Sequence, residues 1–313
     1  MARTLSAVST SEQAVHDSVP RPVVQESAPN NRIFIGLALL SVYLIWGSTY
    51  LAIRVAIQSL PPFLMAGTRF VIAGTVLFVF LRLRGAPAPA RPQWISASIV
   101  GSLLLMGGNG GVVFAERYVA SGLAALVIAT VPLWAALFAG LWGHWPSRRE
   151  WLGLAIGFGG IVLLNLESDL RANPLAAIIL IGAALCWSFG SMWSRRLPLP
   201  SGLMASAVQM LAGGLALIGL GVLTREQVPL APAPESILAL IYLIIFGSLV
   251  GFSAYTYLLR HVRPALATSY AYVNPVVAVG LGVGLAGEHI TEAGLLAMAV
   301  IIAGVALVAL KRS

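Results

Sequence analysis

The sequence predicts an all-α membrane protein: ten transmembrane helices in two inverted five-helix repeats, with both termini on the cytoplasmic side. Three observations predict it. Apolar residues make up 58% of the 313-residue chain and charged residues only 10%, where a soluble chain holds roughly 45–50% and about 25%. The apolar residues gather into runs that each suit the about 20 helical residues needed to cross a bilayer core. Finally, the chain repeats itself at a spacing of 143 residues, five runs apart.

Taken in order, residues 1–31 are rich in Ser, Pro, Val and Glu and lack an apolar core. They read as a disordered cytoplasmic tail rather than a signal peptide or a span. Apolar runs follow at 33–55, 63–83, 94–115, 120–142, 150–166, 175–195, 202–223, 236–258, 265–286 and 291–310. The fifth is short and the third is rich in glycine. The chain therefore divides into the tail, a first repeat at 32–167 and a second at 174–310, each of five spans. With the N-terminus inside, the inner segments hold fourteen Lys and Arg residues and the outer ones only Arg54, Arg117, Arg171 and Arg225. Such a bias sets orientation. It also accounts for the net charge of +8 as a topology signal, so nucleic acid is not an expected partner. The expected partners are the lipid bilayer and a small-molecule substrate, with the chain acting as a monomer or weak homodimer in the plasma (bacterial inner) membrane.

The repeat is clearest where VASGLAALVIATVPLWAALFAGLWG, from Val119 to Gly143, meets RPALATSYAYVNPVVAVGLGVGLAGE, from Arg263 to Glu288. A shift of 143 lays Pro132 on Pro275, Ala124 on Ala267 and Arg117 on Arg260, and Gly47-Ser48 on Gly190-Ser191. Beyond the proline runs the shift becomes 144 and lays His144 on Glu288 and Gly160 on Gly304. Five spans per half is an odd number, so the second half enters the membrane upside down. Inverted repeats of this kind recur in secondary transporters, with the binding site between the halves. Proline removes a helical hydrogen bond and frees a carbonyl, so breaks are expected at Pro132 and Pro275, where they would gate access.

Several segments carry a family resemblance when taken together: Ile45-Trp46-Gly47-Ser48-Thr49-Tyr50, Pro61-Pro62 with Arg69, Gly108-Asn109-Gly110, Ala115-Glu116, the TVP at 130–132 and SYAYVNPVVAV at 269–279. On these the chain resembles the EamA domain of the drug/metabolite transporter superfamily, over nearly all of its length after the tail, and looks most like the YedA-type branch of exporters. The resemblance implies a ten-helix carrier with two such domains that moves small organic metabolites outward. The first half departs from the pattern by carrying His144 where these domains often have Glu.

Polar residues deep in apolar spans are costly and so are candidates for function. Asn274, beside Pro275, either binds substrate or satisfies the carbonyl that the proline frees; Asn109, among glycines, presents the same pair of readings. Trp46 and Tyr50 lie one turn apart on one face of the first span, and Trp46 sits too deep for an interfacial anchor. Trp187 is a similar candidate, with Trp134 and Trp193 behind it. Aromatic walls suit amphipathic or cationic ligands. Tyr270 and Tyr272 point to different faces, so at most one of them meets substrate. Arg69, about two turns inside the second span, either pairs with Glu116 or receives a substrate carboxylate. Gln209 lies at depth without a role.

The same sequence narrows the chemistry. Its only lysine is Lys311, so it holds no Walker A loop for driving a pump by ATP. His16, His144, His261 and His289 are scattered, and Cys186 is single. No catalytic residues, metal ligands or cofactor are therefore expected. The substrates expected are amino acids or similar amphipathic compounds, with efflux of drugs and toxic compounds as the alternative.

Overall fold

A computed structural model describes residues 29–118, 127–165, 174–286 and 292–309, together with Ala124. The chain divides into two compact units, Met1–Phe34 and Ile35–Ser313. The first contributes only the opening residues of one helix to the described structure, and all that follows concerns the second.

The described residues are helical, joined by turns, with no strand among them. Helix α1 spans Pro29–Ala56, α2 Pro62–Leu83 and α3 Arg91–Ala115. Then come α4 at Val131–Leu141, α5 at Arg148–Asn165, α6 at Pro174–Ser194 and α7 at Leu203–Leu223. Helix α8 spans Pro234–His261, α9 comes in two pieces, Pro264–Thr268 and Tyr270–Ala286, and α10 spans Glu292–Ala309. Among the described residues, α1, α2, α3, α6, α7 and α8 are long and apolar enough to cross a membrane. Proline opens α2, α6 and α8 at or near the first helical position, where its missing N–H costs nothing. The Glu226 carboxylate accepts the N–H groups of Phe63 and Leu64 (3.1 and 2.8 Å), which satisfies two of the orphan donors at the start of α2.

Polarity runs opposite to that of a soluble protein. Leu44, Leu51, Phe80, Ile178 and Leu238 face outward, while Ser188, Ser191, Ser206, Ser248 and Asn274 are buried. An apolar rim around a partly polar interior is what a lipid solvent selects.

Glycine lets helix backbones touch at two contacts. In α2 against α7, a Cβ on Gly67 would stand 2.9 Å from the Gly214 carbonyl oxygen. In α5 against α10, a Cβ on Gly304 would stand 2.5 Å from the Gly157 nitrogen. Close approach of this kind is how helices associate where burial of apolar surface from water no longer drives them.

Two long helices depart from α geometry, and they do so at matching places. In α3 the stretch Ser102–Gly110 is π-helical, and in α8 the stretch Leu243–Phe252. The 143-residue shift lays Ser102–Gly110 on Ile245–Ser253, so the two stretches overlap over most of their length. The break expected at Pro275 falls instead at Ser269, and Pro275 is carried inside the helix that follows. Ser269 Oγ donates to the Leu266 carbonyl at 2.8 Å and meets the Tyr43 hydroxyl at 2.6 Å, so the turn has its own partners. Pro132 sits at the opening of α4 rather than within it.

Neighbouring glycines in α5 test the packing. A Cβ on Gly160 would meet Ile301 at 2.8 Å, whereas one on Gly159 meets nothing. Gly160→Ala should destabilise the fold by about 1–3 kcal/mol through overpacking, and Gly159→Ala should not. Thermal unfolding in detergent, read by tryptophan emission, measures the difference.

Candidate functional site

The buried polar and aromatic residues converge on one cavity. Trp46, Thr49, Tyr50 and Ile53 come from α1, Arg69 and Phe70 from α2, and Leu105, Gly108, Asn109 and Val112 from α3. Trp187 comes from α6, Gly247 and Phe252 from α8, and Tyr270 and Asn274 from α9. Both π-helical stretches supply lining, at Leu105–Asn109 and at Gly247 and Phe252. Local i→i+5 turns widen a helix and turn its side chains and carbonyls off the regular spiral, and they are frequent at functional sites.

One end of the cavity is closed by aromatic rings. Trp46 meets Tyr270 edge-on at 4.8 Å, Trp187 edge-on at 5.5 Å and Tyr255 at 5.1 Å. Each such pair contributes about 0.5–1.5 kcal/mol beyond the area it buries. Their polar tips are tied as well. Trp46 Nε1 donates to the Gly247 carbonyl at 3.1 Å, and Trp187 Nε1 donates to the Tyr255 hydroxyl at 3.0 Å. The Tyr255 hydroxyl lies 2.7 Å from Ser191 Oγ.

The remaining wall is polar and incompletely paired. Arg69 is 3% exposed; its Nε donates to Ser248 Oγ at 2.7 Å and its guanidinium lies over the Phe70 ring at 4.4 Å. Arg69 Nη1, Asn109 Oδ1 and Asn274 Oδ1 are buried and have no hydrogen-bond partner. No Asp or Glu is among the described lining residues. Leaving a buried polar atom unpaired costs about 1–3 kcal/mol, more for a charged one. Three such atoms around one cavity mark where a ligand would be held: one charged donor and two acceptors. The space open to a water-sized centre is about 70 Å³, against the roughly 300 Å³ at which organic-ligand pockets begin. An organic ligand therefore requires the helices to move apart.

The residues singled out from sequence fall into two groups. Trp46, Tyr50, Asn109, Trp187, Tyr270 and Asn274 all line this cavity, as does Arg69. Asn274 lies beside the Tyr50 hydroxyl. Tyr270 faces the cavity, while the Tyr272 hydroxyl donates to the Leu154 carbonyl at 3.1 Å in a separate core. Others do not join. Glu116 is not in the lining and both its carboxyl oxygens lack hydrogen-bond partners, so the expected pair with Arg69 does not form: Arg69 turns to Ser248, and the cation whose charge acts on Glu116 is Arg54. Trp134 donates to Thr130 Oγ1 at 3.1 Å and Trp193 packs on Phe189. Gln209 is buried away from the lining. Pro132 and Pro275 stand next to lining residues Val131 and Asn274 without lining the cavity themselves. His16, Glu288 and His289 lie outside the described residues.

Sequence reasoning missed Ser248, Phe252 and Tyr255. The signal that could have found one of them was the repeat itself, because a shift of 143 lays Asn109 on Phe252. The same shift lays Ser248 on Leu105 and Tyr255 on Val112, apolar residues that carry no such signal.

Comparison with known proteins agrees with this architecture. The pattern described as the EamA-like transporter family matches residues 33–166 and again 174–310. YedA of Escherichia coli (strain K12), described as an uncharacterized inner membrane transporter, is 47% identical over 88% of this chain and 90% of its own. A Salmonella typhimurium protein described as a probable amino-acid metabolite efflux pump is 24% identical over 86% of this chain and 92% of its own. A crystal structure 23% identical in sequence superposes with a TM-score of 0.72 over 88% of this chain and 96% of that one; at that identity it speaks for the fold alone.

The cavity wall depends on Gly251, where a Cβ would stand 2.5 Å from Trp46 Nε1. Gly251→Ala should displace the indole, break its bond to the Gly247 carbonyl and weaken ligand binding about five- to tenfold. Tryptophan emission compared with a Trp46→Phe background reports the displacement, and ligand titration reports the affinity.

Proposed function

This chain belongs to the EamA-like transporter family, and from that premise we propose that it is a secondary carrier exporting amino acids or similar amphipathic metabolites across the inner membrane by alternating access. The observation that carries the reading is the cavity itself: the unpaired Nη1 of Arg69 faces the same space as the unpaired carbonyls of Asn109 and Asn274, between aromatic walls. A substrate carboxylate satisfies the first and an ammonium the other two. The side chain then rests on Trp46, Trp187 and Tyr270. Membrane transport is common to the relatives; the substrate class is proposed here from the site chemistry and from the efflux relative.

In this reading the ten spans form two inverted halves, with both termini cytoplasmic. Support comes from the matched π-helical stretches in α3 and α8 and from the pairing of α2 with α7 and α5 with α10. Each of those pairs joins a span to its counterpart five spans on, as contacts beside a two-fold axis do. With this orientation the aromatic closure lies toward the cytoplasm. Beyond it, Arg195 donates to the Val262 carbonyl, Arg196 to that of Trp142 and Arg260 to that of Pro200 (3.0, 2.8 and 2.8 Å), and Arg263 pairs with Glu150 at 2.8 Å. Opening to the cytoplasm must break these bonds, and the turn at Ser269 with the helix around Pro275 is where α9 can yield.

Counterflow in proteoliposomes with a panel of labelled amino acids tests the reading. Some members should accumulate, and Asn274→Ala and Arg69→Lys should each reduce accumulation by at least about tenfold in protein that folds normally. Failure of every amino acid in folded protein would overturn this substrate class and favour efflux of lipophilic drugs. Pro275→Ala should slow turnover more than it weakens binding; unchanged turnover would remove the proline from the gate.

A further inference from the structure

Arg69 is held firmly without being neutralised. Ser248 Oγ accepts from Nε, the Phe70 ring lies under the guanidinium, and the Gly247 backbone comes so close that a Cβ there would stand 3.2 Å from Nη2. None of these carries a negative charge, and no Asp or Glu is among the described residues that line the cavity. A guanidinium does not shed its proton at any pH a cell reaches. A buried charge without a counter-charge is strongly disfavoured, so the compensating charge has to come from solution. The substrate carboxylate proposed above supplies it only while substrate is bound.

The rest of the cavity restricts what supplies it otherwise. The accessible space of about 70 Å³ accommodates a few waters or one small ion. Asn109 and Asn274 line the same cavity, each with a buried, unpaired carbonyl, so Arg69 is the only charge among the described lining residues and the space leaves no room for a second or a larger anion. Trp46, Trp187, Phe252 and Tyr270 complete the wall. One positive charge with an unpaired Nη1 N–H, in a small, largely apolar surround, suits a monovalent ion of weakly directional bonding.

We infer that Arg69 is a chloride site, occupied in turn by chloride and by the substrate carboxylate. The inference rests on the carboxylate reading of Arg69 for its second half and on the geometry alone for its first. The site keeps its net charge near neutral through the cycle, and chloride becomes a competitive brake on transport.

Iodide quenches tryptophan on contact, and Trp46 and Trp187 line the same cavity, so quenching of the purified full-length protein reads the site directly. At fixed ionic strength, quenching should show a saturable component that chloride displaces and sulfate does not. Arg69→Gln should weaken that component by at least about tenfold. Ser248→Ala, which keeps the charge but frees the fork, should weaken it less, and serves if Arg69→Gln does not fold. Quenching that rises linearly with iodide and is unchanged in both variants would overturn the site. In counterflow, chloride should raise the apparent KM of a transported amino acid and leave the maximal rate unchanged; a fall in maximal rate alone, or no effect, would overturn the shared occupancy. If saturable halide binding persists while no carboxylate substrate is transported, the anion site stands and the substrate reading falls.

Discussion

In a bilayer every backbone N–H and C=O must find its partner within the protein, and the architecture follows from where that rule is relaxed. The described helices are regular over most of their length. They depart from α geometry at Ser102–Gly110, Leu243–Phe252 and Ser269, and the two π-helical stretches line the cavity directly. Side chains bond to the backbone there: Trp46 Nε1 donates to the Gly247 carbonyl, and Ser269 Oγ, which donates to the Leu266 carbonyl, meets the Tyr43 hydroxyl. The π-helical stretches thus border the cavity, where selectivity can be built.

The second constraint is electrostatic. One arginine is buried in an apolar bundle, and the protein supplies it with a hydroxyl, a ring face and a glycine backbone but no carboxylate. That arrangement orients the charge while leaving it unanswered. It gives a carrier a reason to prefer ligands that bring a carboxylate, because the ligand relieves a cost already present in the empty-handed protein. In the proposed reading, the neutral acceptors Asn109 and Asn274 would discriminate among such ligands by their second polar group.

Much of the cavity was legible along the chain because lipid makes polar residues conspicuous. Asn109, Asn274 and Arg69 stand out as polar side chains within apolar runs, and Trp46 as an aromatic too deep for the interface. Ser248 was silent, since serine is common in membrane helices and its value here lies only in the 2.7 Å contact with Arg69. Glu116 misled for the complementary reason. Depth along two spans suggested that it could meet Arg69, but depth says nothing about which side of each helix faces the other. The break in α9 was similarly displaced: proline forbids one hydrogen bond, yet the turn forms at Ser269, where side-chain oxygens offer the backbone other partners.

The sequence by itself determined the solvent, the class of fold and the internal repeat, because hydrophobic run length and repeated residues are properties of the chain alone. It also determined which polar groups are expensive. Tertiary structure decided which of those groups share one space, which atoms of each remain unpaired, and how little room lies between them. Those depend on the rotation and separation of packed helices, set by contacts such as Gly67 against Gly214 and Gly304 against Gly157, and no periodicity within a single span encodes them.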